Sequence, residues 1–145
     1  MTHSKPMVAP PFIFPVRVYY EDTDAAGVVY YANYLKFAER ARTEWLRSLG
    51  FSQEALMREQ GVGFVVASAN ITYHKPARLD DQLFIVSHLQ HTTKVRMGMQ
   101  QTVTKDEQIL ARVAVEIVCV DTTFKPTRIP DALLQAFATE RKDFA

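Results

Sequence analysis

The sequence predicts an α+β fold in which one antiparallel sheet curls around a long helix. Apolar residues recur with helical spacing over positions 32–49, near the start of the chain. Four segments rich in strand-forming residues follow, and the links between them are short, which favours antiparallel pairing. Because an antiparallel sheet has one face to bury, the broadly apolar helix is predicted to cover that face.

Length and composition indicate a single folded domain. The chain has 145 residues, of which 48% are hydrophobic and 23% are charged, a balance that supports a buried core. We expect a flexible, proline-rich arm over residues 1–12 and one domain over residues 13–145, since no Gly/Ser-rich linker divides the remainder. The formal net charge of +1 gives no reason to expect a nucleic-acid partner.

The N-terminal segment lacks the pattern of an export signal. Its four prolines interrupt any apolar stretch, and no run of about 18 apolar residues occurs in the chain. We therefore expect a cytoplasmic protein without a transmembrane segment.

The first predicted elements surround an acidic bend. Residues 14–20 favour a strand, and residues 24–27 favour a bend. The helix at 32–49 is followed by Gly50, a common helix terminator, and a second, short helix is predicted at 52–60. The apolar positions of the long helix are Tyr34, Phe37, Ala38, Ala41, Trp45 and Leu49.

The second half is predicted to contain most of the sheet and a final helix. A last helix is expected at 129–137, opened by Pro130 with Asp131 in its first turn. The only cysteine, Cys119, lies within the last strand, so we expect a buried thiol and no disulfide within the chain. The four strand segments cover residues 63–74, 82–91, 95–105 and 108–121.

The bend in YYEDTDAAGVVYY (residues 19–31) contains the groups that a catalytic site requires. Gly27 permits a tight turn, and the first amides of the following helix lack partners within it. With the helix dipole, such amides polarise a carbonyl and stabilise an oxyanion. An upstream carboxylate could attack that carbonyl or deprotonate a water. The spacing does not choose among Glu21, Asp22 and Asp24, and a helix cap beside an ordinary turn explains the same pattern.

Four motifs carry a resemblance to a known family. The runs YYEDTDAAGVVY, NYLKFAERAR, YHKPARLDDQL and VCVDTTFKP, spread over roughly residues 15–130, resemble the acyl-CoA thioesterases of the 4-hydroxybenzoyl-CoA thioesterase type (4HBT), and among them the YbgC-like branch encoded beside the Tol-Pal genes. The resemblance implies the hotdog fold, a five-stranded antiparallel sheet wrapped around a central helix. It also implies a homo-oligomer, a dimer or a homotetramer, with active sites between subunits.

The resemblance further implies hydrolysis of an acyl-CoA thioester to a free acid and coenzyme A. The family's catalytic carboxylate falls on Asp24, as nucleophile or general base, and its oxyanion contact falls on the backbone N–H near Tyr31. Gly27, Val28 and Tyr30 would contact the substrate. No cofactor is implied, because coenzyme A is part of the substrate.

Tyr31 departs from the pattern of the branch, whose members usually carry histidine at this position. Aryl-CoA members of the wider family carry tyrosine there. With a pKa of about 10, a tyrosine does not act as a base at neutral pH. The replacement bears on rate, pH optimum and substrate preference, and leaves Asp24 and the backbone N–H in place.

Basic residues should flank the site, because coenzyme A carries phosphates. Lys94 and Arg96, just after His91, occupy the place where the family often meets the nucleotide. Lys75 is predicted to line the thioester channel. A solvated surface explains the same residues, and no Gly-rich phosphate loop is present.

Other sites and functions fit the sequence less well. The four histidines and the acids show no metal-ligand spacing, so no metal is expected. Glu39 on the long helix is the rival carboxylate, with helix packing or a subunit salt bridge as its alternative role. A non-hydrolytic module that binds acyl chains or acyl carrier protein, linked to phospholipid synthesis, is the alternative function. A dehydratase ranks last, since no histidine lies near Glu39 in sequence.

Overall fold

The computed structural model describes residues 11–141 of the chain. Five strands and three helices follow one another in the order of the sequence, with a single 3₁₀ turn at Tyr20–Asp22 between the first strand and the first helix. The elements are β1 (Phe12–Arg17), α1 (Asn33–Ser48), α2 (Gln53–Gln60), β2 (Gly63–Tyr73), β3 (Gln82–Thr92), β4 (Arg96–Lys105), β5 (Gln108–Val120) and α3 (Asp131–Arg141).

The predicted elements are all present, and the boundaries of β1 and α3 differ most from those predicted. The predicted strand at 14–20 is wrong at its end, because β1 stops at Arg17, opposite the first residue of β3, and the chain then turns into the 3₁₀ turn at Tyr20–Asp22. The predicted arm at 1–12 lies outside the described residues except for its last two, and Phe12 already belongs to β1. The last helix begins after Pro130, whose carbonyl accepts two amide hydrogen bonds of its first turn.

The strands form one antiparallel sheet in the order β1-β3-β4-β5-β2. Alternate residues of the sheet face α1, whose own buried side packs against them. The side chains of Phe37, Ala38 and Ala41 on α1 are fully buried there. The predicted α+β fold, a five-stranded antiparallel sheet wrapped around a long helix, is therefore confirmed.

A buried glutamine joins α1 to the centre of the sheet. Gln101 on β4 is fully buried, and its Nε2 donates to the carbonyl of Ala38 at 2.8 Å and to Ser87 Oγ at 3.0 Å. Its Oε1 accepts a hydrogen bond of 3.0 Å from Arg42. Because every polar atom of the Gln101 side chain has a partner, this buried group fixes how α1 lies on the sheet.

The sheet has two edge strands, β1 and β2, and they differ in exposure. Within the described chain β2 pairs only with β5, and residues 65–70 of β2 are all exposed. A long strand with one unpaired edge offers its backbone N–H and C=O groups to another strand.

The C-terminal helix packs beside the far end of α1. Trp45 stacks on Phe137 of α3 with ring centroids 5.3 Å apart, and the Trp45 indole donates to Glu140 at 3.2 Å. None of the helices between residues 11 and 141 is long and apolar enough to cross a membrane.

Candidate active site

The acidic segment between β1 and α1 folds as a small hairpin. Thr23 bridges Val29, the amide of Asp24 donates to the carbonyl of Val28 at 2.9 Å, and the amide of Gly27 returns to the carbonyl of Asp24 at 3.0 Å. Gly27 has φ +79°, in the left-handed region that glycine adopts without strain. The hairpin therefore carries Asp24 at its tip and leads into α1 at its base.

The three acids of this hairpin have different surroundings. Glu21 is exposed, whereas the side chain of Asp22 is buried. Asp22 accepts from the amide of Tyr19 and from the side chain of Asn33, each at 2.8 Å. Its own carbonyl accepts from the amide of Tyr30 at 2.9 Å. Asp22 is therefore a structural link between the hairpin and the first residue of α1.

The carboxylate of Asp24 is exposed at the tip of the hairpin and only half engaged. Its Oδ1 accepts from the amide of Ala26 at 2.8 Å, which closes a local turn. Its Oδ2 has no hydrogen-bond partner in residues 11–141. One oxygen thus orients the group, and the other is available for chemistry.

The chain that enters α1 leaves two backbone amides without acceptors. The amide of Tyr30 is taken by Asp22, and the amide of Asn33 donates to the carbonyl of Tyr30 at 2.8 Å. Among the described residues none accepts from the N–H of Tyr31 or of Ala32. These two amides lie at the positive end of the helix dipole, where a carbonyl oxygen is polarised.

A cleft of about 280 Å³ opens beside these amides and is walled by tyrosines. The Tyr73 ring, at the end of β2, meets the rings of Tyr31 and Tyr34 edge-on, with centroids 6.5 and 5.5 Å apart. The Tyr30 ring lies 4.7 Å from that of Tyr31. The cleft is lined by Val29, Tyr31, Tyr34, Tyr73, His74, Lys75 and Pro76.

The hydroxyls of Tyr30, Tyr34 and Tyr73 have pKa values raised above the usual one. Burial raises the pKa of Tyr34, whose hydroxyl accepts from the amide of Ala77 at 3.1 Å. Burial also raises the pKa of Tyr73, whose hydroxyl donates to the carbonyl of Tyr31 at 3.3 Å. The hydrogen bond with Tyr31 raises the pKa of Tyr30. These groups serve as aromatic walls and hydrogen-bond donors, not as bases.

The predicted basic residues do not gather at one place in a single chain. Lys75 lines the cleft. Lys94 in the β3–β4 turn and Arg96 at the start of β4 are exposed, at the opposite end of the sheet. The eleven residues of β3 lie between the two ends, and at about 3.3 Å per residue they span roughly 35 Å.

The rival acid Glu39 borders a different pocket. It is exposed on α1 and accepts from Thr43 Oγ1 at 2.7 Å. This pocket has a volume of about 140 Å³ and lies between α1, α2 and the sheet, and no histidine lines it within the described residues. The pocket is lined by Glu39, Arg42, Trp45, Leu46, Gln53, Phe64, Val66, Met97 and Ile117.

Cys119 and His91 lie outside the candidate site, whereas His74 lines its cleft. The Cys119 side chain is fully buried, and burial raises its pKa to about 11. In the part of the chain that the structure describes, no group of three or more His, Cys, Asp or Glu side chains could hold a metal ion. His91 instead pairs with Glu116 on the outer face of the sheet, at 2.7 Å.

Sequence reasoning missed the wall of the cleft and the internal link. Tyr73 belongs to a strand 42 residues after Tyr31, and only the register of β2 on β5 brings it to the helix start. The helical spacing predicts Tyr34 as a core residue of α1 and gives no sign of its place at the cleft. The polar pair of Asp22 and Asn33 was visible only as a possible helix cap.

Comparison with known proteins adds independent findings. The sequence profile of the thioesterase-like superfamily matches residues 18–137. The acyl-CoA thioester hydrolase YbgC of Escherichia coli O6:H1 is 47% identical over 128 residues, which cover 87% of this chain and 95% of that protein. The acyl-CoA thioesterase YbgC of Haemophilus influenzae is 44% identical over 127 residues, covering 87% and 93%. The crystal structure of a probable thioesterase from Bartonella henselae superposes with a TM-score of 0.79 at 37% identity, covering 83% of this chain and 99% of that one.

Proposed function

The chain belongs to the thioesterase-like superfamily and is a thioester hydrolase, and on this premise we propose that it hydrolyses acyl-CoA to a free acid and coenzyme A. In this proposal Asp24 is the catalytic carboxylate, and the N–H of Tyr31 is the oxyanion contact. One observation carries it: a single hairpin presents a carboxylate with a free oxygen and ends in the amides of Tyr31 and Ala32, which have no acceptor among the described residues.

The geometry of the hairpin suits an acyl transfer. Asp24 lies opposite Val28, and Val28 is three residues before Tyr31. At about 3.3 Å per residue, the backbones of Asp24 and Tyr31 are therefore on the order of 10 Å apart. A thioester carbonyl group fits between the side chain of Asp24 and the backbone amide of Tyr31. The Tyr31 N–H and the helix dipole would stabilise the negative charge that develops on the carbonyl oxygen.

Asp24 can act in either of two ways. As a general base it takes a proton from water, the resulting hydroxide adds to the carbonyl carbon, and the tetrahedral intermediate expels the thiolate of coenzyme A, which receives the proton. As a nucleophile it adds to the carbonyl itself and expels the thiolate, and water then cleaves the mixed anhydride. Both routes use the oxygen of Asp24 that is free of hydrogen bonds.

The tyrosines that surround the helix start support a role in substrate binding. Tyr30, Tyr31 and Tyr73 are exposed around the helix start, whereas Tyr34 is buried and forms the deeper wall of the cleft. Aromatic rings give an apolar surface for the acyl group and limit access of water. Gly27 and Val28, in the turn after Asp24, complete the proposed substrate contacts.

The unpaired edge of β2 supports a homo-oligomer, a dimer or a tetramer, in which two sheets join. If two β2 strands pair antiparallel about their middle, Gly63 of one subunit lies beside the Tyr73 end of the other. That pairing brings Lys94 and Arg96 of one subunit towards the cleft of its partner. The phosphates of coenzyme A would then be bound across the interface.

The proposal also covers the cellular location of the enzyme, its cofactor requirement and the group that carries the acyl chain. We place the enzyme in the cytoplasm, with no cofactor beyond the coenzyme A of its substrate. An acyl carrier protein would replace coenzyme A in the alternative, a non-hydrolytic module linked to phospholipid synthesis. Parallel assays with one acyl group on coenzyme A and on carrier protein distinguish the two leaving groups.

The test is release of coenzyme A, followed with a thiol reagent, from short, long and aromatic acyl-CoAs. Wild type, Asp24→Asn and Glu21→Gln are compared, with folding checked by circular dichroism. Asparagine retains the oxygen that accepts from Ala26, so the turn persists, whereas the negative charge is lost. We expect Asp24→Asn to lower kcat/KM by about a hundredfold or more, and Glu21→Gln to have little effect.

The other outcomes are equally decisive. Turnover that is unchanged in Asp24→Asn would remove Asp24 from the mechanism and direct attention to Glu39. A folded wild type with no turnover on any acyl-CoA, but with acyl chains bound after purification, would favour the binding module.

A further inference from the structure

Phe124 is an exposed aromatic residue in a strained backbone conformation. Its side chain is 78% exposed, and its φ of +64° lies in the left-handed region. A bulky residue rarely adopts this region, because its Cβ approaches the following carbonyl oxygen. Neither burial nor backbone preference explains why a phenylalanine occupies this position.

The surrounding loop holds Phe124 outward. One carboxylate oxygen of Asp121 accepts from the amide and hydroxyl of Thr123, at 2.8 and 2.7 Å, and from the amide of Lys125 at 3.1 Å. The amide of Phe124 donates to the carbonyl of Asp121 at 3.0 Å, and the amide of Asp121 donates to the carbonyl of Lys125 at 2.9 Å. The hydrogen bonds to Thr123 lower the pKa of Asp121, so the clamp persists at neutral pH.

Three basic side chains lie on or near the segment that carries Phe124. Lys125 is the next residue, and the β3–β4 turn with Lys94 and Arg96 is joined to the same segment by a hydrogen bond of 2.8 Å from the amide of Ile129 to the carbonyl of Lys94. All three cations are exposed, and none makes a salt bridge with a described residue. An aromatic face beside free positive charges is complementary to a nucleotide, which presents a flat base and phosphates.

We propose that Phe124 is a stacking platform for the adenine of the substrate, with Lys125 and Lys94 beside its phosphates. This inference rests on the proposed acyl-CoA substrate and adds a residue that fixes the nucleotide end. Stacking on an aromatic side chain needs only a π face, so an exposed ring on a hydrogen-bonded loop suits it. The loop that holds the ring lowers the conformational entropy lost when a ligand binds.

The position of the loop is consistent with this role in a dimer. The loop continues β5 beyond Val120, which pairs with Gly63, and a Cβ on Gly61 would contact Thr122 at 3.8 Å. With two β2 strands joined, β5 of one subunit runs parallel to β2 of the other, separated by two strand spacings, about 10 Å. The Phe124 loop therefore lies beside the entrance to the partner's tyrosine-lined cleft.

The experiment compares two substrates that differ only in the nucleotide. The same acyl group is presented on coenzyme A and on pantetheine, to wild type, Phe124→Ala, Phe124→Leu and Phe124→Trp. Phe84→Ala is the matched control, since Phe84 is also an exposed aromatic, 40% accessible, on the sheet surface.

We expect KM for the acyl-CoA to rise roughly tenfold in Phe124→Ala and Phe124→Leu, with kcat little changed. The Trp variant and Phe84→Ala should retain the wild-type value. KM for the acyl-pantetheine should be the same in all variants, because that substrate has no base to stack.

A direct binding measurement separates this inference from the proposed function. Adenosine 3′,5′-bisphosphate is titrated calorimetrically into the same variants. Weaker binding by Phe124→Ala and Phe124→Leu than by Phe124→Trp supports the platform even if no acyl-CoA is hydrolysed. Equal losses on both thioesters, a Leu variant equal to wild type, or a changed oligomeric state in sedimentation would overturn it, the last by identifying Phe124 as a subunit contact.

Discussion

The carboxylate of Asp22 accepts a hydrogen bond of 2.8 Å from the side-chain amide of Asn33, eleven residues further along the chain. Both groups are buried, and the bond joins the hairpin to the first residue of α1. The hairpin carries Asp24 and the helix start carries the free amide of Tyr31. The spacing of these two chemical groups therefore depends on a bond in which neither takes part.

Breaking this bond should reduce both stability and turnover. Replacing Asn33 by Ala leaves a buried carboxylate with one partner fewer, which costs about 2 kcal/mol in the free energy of unfolding. We expect kcat to fall in Asn33→Ala under conditions where the protein is still folded, because Asp24 and Tyr31 lose their fixed separation. Urea unfolding and steady-state kinetics measure the two effects.

The neighbouring acid provides the control for this prediction. Glu21 is exposed, so Glu21→Ala should change the free energy of unfolding by no more than about 0.5 kcal/mol. If Asn33→Ala matched Glu21→Ala in both stability and kcat, the buried bond would have no positioning role.

The predictable and unpredictable parts of this fold differ in physical origin. The helical spacing around Phe37 and Trp45 and the β-branched runs of β3 to β5 are local patterns, and the elements they predict are present within a few residues. The end of β1 was misplaced because it depends on where β3 begins, which local propensity does not contain.

The candidate site also has parts that the sequence predicts and parts that it does not. The acids, the glycine and the helix start lie within one short segment, so the sequence could indicate them together. The Tyr73 wall arises from strand register, and the left-handed φ of Phe124 arises from the Asp121 clamp. Neither follows from residue preferences, and phenylalanine in particular disfavours that region.

Gly98 leaves room for a cross-strand pair on the outer face of the sheet. It lies between His91 on β3 and Glu116 on β5, and a Cβ at Gly98 would come within 2.2 Å of His91 Nε2 and 2.5 Å of Glu116 Oε2. Both atoms end exposed side chains, so Gly98→Ala should displace the pair and leave the backbone in place. Loss of an exposed pair costs about 0.2–1 kcal/mol, and alanine in a strand regains about as much.

We therefore expect Gly98→Ala to be nearly neutral in the wild-type background. In the His91→Ala/Glu116→Ala background the same change should stabilise the protein by about 0.5–1 kcal/mol, since no side chain has to move. Chemical denaturation of the wild type and these three variants measures this difference. Equal effects in both backgrounds would show that the pair does not occupy the space above Gly98.

Cys119 should be unreactive in the folded protein. Its side chain is fully buried and burial raises its pKa to about 11, so very little thiolate is present at pH 8. We expect a chromogenic thiol reagent to label the native protein only slowly, and to label one thiol per chain at once in denaturant. Because Cys119 reacts slowly, the enzyme itself should add little signal to an assay that follows coenzyme A release with a thiol reagent. Rapid stoichiometric labelling without denaturant would mean that β5 opens around Cys119 in the native state.

Replacing Phe124 by glycine should make the protein more stable. A left-handed φ costs a non-glycine residue about 1–2 kcal/mol, whereas glycine costs about 0.5–1 kcal/mol in additional unfolded-state entropy. Because the Phe124 ring is exposed, its removal forfeits little packing, and the balance favours glycine by about 0.5 kcal/mol.

The magnitude is small, so the comparison needs a matched variant. Phe124→Ala retains the unfavourable φ, and the gain should therefore appear in the glycine variant and not in the alanine variant when both are unfolded in urea. A glycine variant no more stable than the alanine variant would mean that the ring makes compensating contacts. A more stable glycine variant shows that this loop bears a stability cost that its fold does not require, which is the pattern of a position shaped by function.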